Sequence, residues 1–147
     1  MPEGEAKYSP EEAKEKLVYF AKKHLGKPYK YGASAYEAPK FFDCSSFLKY
    51  LYKRIGVDLP RTALDQASKG RKIEKNEKLE IGDLIFIKGG WGRYNPKYPG
   101  GIGHVAVYIG NGQVISASWK EEGGSVIEEK ISNYLARDDF RIIKRIL

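Results

Sequence analysis

The sequence predicts an α+β fold in which N-terminal helices pack on an antiparallel sheet. Before about residue 80, apolar residues recur at helical spacing, in segments with recognisable start and stop signals. Beyond it, short apolar segments alternate with turn residues, which is typical of strands. Helices followed by strands favour α+β over a doubly wound fold, in which the two would alternate. We expect a single domain over residues 9–147, preceded by a flexible leader of residues 1–8.

Three helices are predicted in the first half of the chain. Ser9 is a suitable N-cap for the first helix because Pro10 fits the first helical position and Glu12 completes a capping box. A glycine marks the end of each predicted helix, and Thr62 is a suitable cap for the third. The predicted helices extend from Ser9 to Gly26, from Asp43 or Cys44 to Gly56, and from Thr62 to Gly70.

Five strands are predicted in the second half: Leu84–Ile87, His104–Ile109, Gln113–Ser118, Val126–Glu129 and Phe140–Ile146.

The turn at residues 110–112, Gly-Asn-Gly, decides which side chains share a face of the sheet. If all three residues form the turn, Ile109 pairs with Gln113, and His104 and Ser116 lie on one face. A two-residue turn would place Ser116 on the opposite face. The sequence leaves both alternatives open.

Composition excludes several classes of protein. With 41% hydrophobic and 13% aromatic residues, the 147-residue chain can form a core, so general disorder is excluded. A single cysteine excludes an internal disulfide framework, and with two histidines it disfavours zinc binding. The net charge of +7 favours acidic partners, namely nucleic acid, anionic lipid or bacterial wall polymers. No nucleic-acid recognition motif is present, so nucleic acid is disfavoured.

Cys44 is a candidate nucleophile because it lies at a predicted helix N-terminus. Free N–H groups and the helix dipole favour the thiolate there and can also hold an oxyanion. The alternative is an inert buried cysteine, which the polar neighbours Asp43 and Ser45 disfavour. His104 opens a strand after Gly103 and is the candidate base. His24 lies among lysines, where a solvated or helix-capping role is expected.

Five motifs follow one another through the chain: Gly26-Lys-Pro-Tyr-Lys-Tyr-Gly32, Phe42-Asp-Cys-Ser-Ser-Phe47, Leu59-Pro-Arg-Thr62 with Gln66, Gly82-Asp-Leu-Ile-Phe86, and Gly103-His-Val-Ala-Val-Tyr-Ile-Gly110. In this order and at these spacings they resemble NlpC/P60 cysteine peptidases, over roughly residues 12–146. The resemblance implies a papain-like α+β domain that hydrolyses amide bonds in peptidoglycan stem peptides. Its usual target is the bond between a D-γ-glutamyl residue and a diamino acid.

The resemblance also assigns roles to individual residues. It implies that Cys44 is the nucleophile and that His104 is the general base, which later protonates the leaving amine. Tyr29 matches a tyrosine whose hydroxyl lies near the nucleophile and helps to form the oxyanion hole. Asp43 and Ser45 match positions that line the substrate groove.

Three further residues are candidates for substrate contact. We expect Tyr31, in the first motif, to line the groove with Asp43. Trp91 belongs to a glycine- and aromatic-rich insertion, residues 89–100, which forms either a cover over the groove or an ordered surface loop. Arg61 can bind a carboxylate through both guanidinium nitrogens, although an ion-pair or packing role within the protein is favoured.

The third catalytic position departs from the family pattern. It is most often a histidine that orients the base, but here the strand reads Val114-Ile-Ser-Ala-Ser118, with Ser116 at that position. A serine hydroxyl can accept from an imidazole N–H, but it lends no charge. Either Ser116 orients the base, or another polar group does so, or activity is reduced. If the family pattern holds, Ser116→His should preserve or raise activity. A catalytically weak or inactive wall-binding module is the alternative function.

The resemblance implies no metal and no organic cofactor, and a monomer is expected. No apolar segment is long enough to span a membrane. The N-terminus also lacks the apolar core of a secretory signal. We therefore expect an extracellular or wall-associated domain with its signal already removed, or a component delivered by a phage or a secretion system.

Overall fold

The helices of the first half begin at the residues that the capping signals predict. In the computed structural model, which describes residues 8–90 and 92–147, Ser9 caps α1 (Pro10–Lys23) and forms the predicted capping box with Glu12. Asp43 caps α2 (Cys44–Arg54), and Gly56, at φ 84°, follows its end. Thr62 caps α3, which is shorter than predicted. The remaining bounds are Ala63–Gln66 for α3 and Ala35–Glu37 for a 3-10 turn.

The second half forms the sheet and one short helix. The strands are β1 (Arg71–Ile73), β2 (Asp83–Ile87), β3 (Arg93–Asn95), β4 (Tyr98–Ile102), β5 (His104–Gly110), β6 (Gln113–Ser118), β7 (Ser125–Lys130) and β8 (Phe140–Arg145), with α4 (Ser132–Leu135) between β7 and β8. Within the described residues, six strands form one antiparallel sheet in the order β1-β8-β2-β5-β6-β7, and β3 and β4 form a separate hairpin. The α+β fold with helices packed on an antiparallel sheet is confirmed.

The two faces of the sheet have different neighbours. Alternate residues of β5 and β6, such as Val107 and Ile115, lie in the larger core with Leu17 of α1 and Leu51 of α2. The residues between them, such as Ala106, lie in a smaller core that includes Tyr134 of α4. Helices α2 and α4 therefore cover opposite faces of the sheet.

A β-bulge decides the register between β5 and β6. Asn111 and Gly112, at φ 54° and 73°, form a two-residue turn that pairs Gly110 with Gln113. The register then shifts by one residue, so that Tyr108 pairs with Val114 and Val107 with Ile115. The turn is therefore the two-residue alternative. The bulge nevertheless restores the register that a three-residue turn would give. Residues 104, 106, 116 and 118 consequently lie on one face of the sheet.

Several elements were not predicted from the sequence. Strands β3 and β4 lie within or next to the segment expected to be a loop, and α4 and β1 had no predicted counterpart. Residues 1–7 of the predicted leader lie outside the described residues. Among the residues that are described, none of the helices has the length and apolar character needed to cross a bilayer.

Candidate active site

The cap of α2 fixes the position of the candidate nucleophile. Asp43 accepts a hydrogen bond from Ser46 N–H at 2.8 Å, and Ser46 Oγ accepts one from Asp43 N–H at 2.9 Å. This reciprocal cap makes Cys44 the first residue of the helix. The Cys44 thiol donates to the carbonyl oxygen of Gly103 at 3.6 Å, and Gly103 is the residue before His104. The cap thus brings the sulfur to the beginning of β5.

The surroundings of the Cys44 sulfur favour the protonated thiol. Burial and the nearby Asp43 carboxylate raise the pKa of the thiol to about 12, against the lowering effect of the Val105 and Ser45 backbone N–H groups. The Ser45 N–H group at the helix N-terminus thus acts in the predicted direction, but burial outweighs it. The two N–H groups still point to a sulfur that becomes negative when a base removes its proton.

The candidate base His104 lies in a partly buried position that favours the neutral imidazole. Burial and the positive charge of Arg137 lower the pKa of the imidazole to about 4, and Asp139 opposes this effect. Its Nε2 atom is 2.9 Å from the Tyr134 hydroxyl, and the two rings are stacked with an angle of 22° between their planes. At neutral pH the ring can accept a proton.

Ser116 reaches His104 through Tyr134. The Ser116 side chain is fully buried, and its Oγ lies 3.0 Å from the Tyr134 hydroxyl and 2.8 Å from Ser118 Oγ. The direct bond from Ser116 to the imidazole that sequence reasoning considered is replaced by this relay. Tyr134 itself was missed because α4 has no side-chain cap bond, so the sequence carries no start signal for the helix that holds it.

The predicted groove residues line one cleft with the thiol. This Cys44 cleft, of about 320 Å³, is lined by Cys44, Asp43, Ser45, Tyr29 and Tyr31 together with residues of α3 and the β3–β4 hairpin. The structure thus brings together five of the eight predicted site residues. Trp91 lies outside the described residues.

Arg61 forms the ion pair that the sequence analysis favoured. Its guanidinium donates to Asp43 Oδ2 at 2.7 Å, to Ser45 Oγ at 2.8 Å and to the Ala33 carbonyl at 2.7 Å. Arg61 also lines the Cys44 cleft. The pair holds the helix cap and the wall of the cleft in one arrangement.

A second cleft, of about 660 Å³, lies on the side of His104. This His104 cleft is lined by His104 and Tyr134, and by the charged residues Lys120, Glu129 and Arg137. Tyr29 and Gly103 line both clefts, so the two clefts adjoin at these residues.

Tyr29, which lines both clefts, keeps its hydroxyl proton. Burial, followed by the charges of Cys44 and Asp43, raises the pKa of the phenol well above its usual range. A protonated hydroxyl beside the nucleophile can donate to an oxyanion, as the resemblance implies.

His24 lies elsewhere and is not solvated as one expectation had it. It is the C-cap residue of α1, it is 5% exposed, and its ring packs against Phe42 and Tyr50. Neither ring nitrogen has a hydrogen-bond partner among the described residues. Of the two histidines, His104 is the one that lines a cleft.

Over residues 8–90 and 92–147, no group of three or more His, Cys, Asp or Glu side chains is arranged to hold a metal ion.

Comparisons with known proteins point to one family. The NlpC/P60 family model matches residues 26–144. A probable endopeptidase p60 of Listeria innocua is 40% identical over 101 residues, which cover 69% of this chain and 19% of that protein. A γ-D-glutamyl-L-lysine dipeptidyl-peptidase of Bacillus cereus is 34% identical over 127 residues, which cover 86% of this chain and 35% of that protein. The chain therefore spans only a minor part of these curated relatives.

A solved structure supports the same grouping. The structure of the peptidoglycan hydrolase RipB from Mycobacterium tuberculosis superposes with a TM-score of 0.74 at 27% identity, and the match covers 100% of this chain and 72% of that one.

Proposed function

The chain belongs to the NlpC/P60 family, and we propose that it is a cysteine endopeptidase that hydrolyses amide bonds in peptidoglycan stem peptides at the cell wall. The bond we propose joins a D-γ-glutamyl residue to a diamino acid, in line with the name of the B. cereus relative. The observation that carries the proposal is the thiol of Cys44, which begins a helix, lines a cleft and contacts the carbonyl of the residue before His104.

The protonation states determine how the reaction begins. Because the thiol is protonated and the imidazole neutral at pH 7, His104 accepts the thiol proton while the sulfur attacks the carbonyl carbon. A carbon–sulfur bond forms, and the carbonyl oxygen takes the electron pair. The imidazolium then gives its proton to the leaving amine as the amide bond breaks. Water hydrolyses the remaining thioester and releases the acid.

The surroundings of the sulfur support the charged intermediate. The Tyr29 hydroxyl is a protonated donor that lines both clefts. The Ser45 and Val105 N–H groups lie close enough to lower the pKa of the thiol. Donors fixed in place before the reaction stabilise developing negative charge without reorganisation.

The substrate groove that we propose is the Cys44 cleft, with Asp43, Ser45 and Tyr31 in its wall. The protein's net charge of +7 favours its accumulation on acidic wall polymers. This attraction is long-range and acts before any contact in the cleft.

The proposal is tested by digesting defined muropeptides and identifying the products by mass spectrometry. We expect cleavage between the D-γ-glutamyl residue and the diamino acid, and no products from Cys44→Ala or His104→Ala. His24→Phe is the matched control, because the ring of His24 has aromatic neighbours and unpartnered nitrogens, and we expect it to retain activity. Turnover by Cys44→Ala would refute the mechanism. Binding to walls without turnover by the wild type would instead establish the wall-binding module.

A further inference from the structure

The hydrogen-bond partner of the candidate base is a tyrosine that no sequence motif marks. Tyr134 is 3% exposed, and its hydroxyl lies 2.9 Å from His104 Nε2. The same hydroxyl lies 3.0 Å from Ser116 Oγ. Tyr134 therefore stands between the base and the residue at the family's third catalytic position.

We propose that Tyr134 is the positioning residue of His104, and that Ser116 acts only by holding the Tyr134 hydroxyl. The inference rests on the proposed function, because it assigns the group that orients the base of that reaction. A base is effective when a third group fixes its ring and its tautomer. Tyr134 meets both requirements, since its hydroxyl lies at the ring nitrogen and its own ring lies nearly parallel to the imidazole, with the centroids 5.8 Å apart.

The neighbours of the Tyr134 hydroxyl determine where its proton points. Ser116 Oγ lies within hydrogen-bond distance of this hydroxyl and is also hydrogen-bonded to Ser118 Oγ. The Glu129 carboxyl of β7 also interacts with it, and a carboxylate can only accept. When the tyrosine proton points to these acceptors, the phenol oxygen accepts from Nε2–H of His104. The Nδ1 lone pair is then free to take the Cys44 proton.

The charged groups around His104 and Tyr134 do not compete for the hydrogen bond between them. Arg137 and Asp139, which follow α4, form a salt bridge with each other at 2.6 Å. Burial raises the pKa of the Tyr134 phenol well above its usual range, and the charges of Glu129 and Cys44 act in the same direction. Tyr134 therefore stays protonated and acts as a hydrogen-bonding group rather than a base.

The test compares Tyr134→Phe with the wild type and with Tyr108→Phe. Phenylalanine keeps the ring in the core and removes only the oxygen. Tyr108 is the matched control, because its hydroxyl accepts from Gly112 N–H at 3.0 Å and it lies on the same strand as His104. We expect kcat of Tyr134→Phe on muropeptides to fall about 10- to 100-fold with little change in KM, and Tyr108→Phe to be unaffected.

A spectroscopic measurement separates this inference from the proposed function, because it needs no substrate. The chain has two histidines, so the ¹⁵N spectrum of the imidazole nitrogens at pH 7 contains two ring systems, and His104→Ala assigns them. We expect the Nε2–H tautomer for His104 in the wild type and a mixture of tautomers in Tyr134→Phe. Ser116→Ala, which keeps the tyrosine, should shift the mixture less.

Two results would overturn the inference. One is an unchanged His104 tautomer in Tyr134→Phe, and the other is an unchanged kcat in a folded Tyr134→Phe protein. If muropeptides are not cleaved by the wild type while the tautomer responds as expected, the proposed function fails and the orienting contact stands.

Discussion

The reactivity of Cys44 provides a quantitative test of the resting state. Burial and Asp43 raise the pKa of the thiol from its ordinary value of 9.0 to about 12. The thiolate population at pH 7 is then about a thousandfold smaller than that of an ordinary thiol, equivalent to about 4 kcal/mol. Because only the thiolate reacts with iodoacetamide, we expect slower alkylation of Cys44, by about 10- to 1,000-fold, since the higher nucleophilicity of a high-pKa thiolate offsets part of the lost population.

The assay follows alkylation by mass spectrometry from pH 6 to pH 10. The matched control is a variant that combines Cys44→Ala with Ser68→Cys, because Ser68 is exposed. We expect the rate at Cys44 to rise tenfold per pH unit without a plateau, and His104→Ala to change it little. A plateau near neutral pH that His104→Ala abolishes would show a thiolate–imidazolium pair and refute the reasoning.

Two further predictions concern side chains around the site. Arg61→Met leaves the Asp43 carboxylate without its ion pair, and we expect the free energy of unfolding in urea to fall by about 1–3 kcal/mol. The loss is smaller than for a fully buried pair because the Arg61 side chain is 40% exposed. A loss below about 0.5 kcal/mol would show that the pair does not stabilise the fold. Ser116→His forces an imidazole against Tyr134 in a fully buried position, so we expect lower kcat and about 1–3 kcal/mol lower stability. Preserved or raised activity would instead support the family pattern for position 116.

Those parts of the fold that depend on local chemistry could be predicted from the sequence. Ser9 and Thr62 are caps in both the prediction and the structure, and the predicted capping box of Ser9 with Glu12 is observed. The predicted boundaries of β6 are those observed, because the Gly-Asn-Gly turn before it defines where the strand begins. The Cys44 cleft collects five of the eight predicted site residues.

The remainder depends on contacts between distant segments. The hairpin of β3 and β4 consists largely of glycine, proline and polar residues that read as a loop. Tyr134 lies 30 residues after His104, on a helix without a capping side chain. The pKa of Cys44 follows from burial by the sheet, which a helix-dipole argument does not include. Each of these features is set by packing, which is not local in the sequence.

The bulge between Tyr108 and Gly110 makes the β5–β6 connection tolerant of a change in length. Deletion of one residue at this tip would convert the bulged hairpin into a regular two-residue hairpin, in which Val107 still lies opposite Ile115. The side chains of both strands would keep their faces of the sheet, and Ser116 would stay against Tyr134. The length of this surface turn is therefore separated from the arrangement of the residues behind His104.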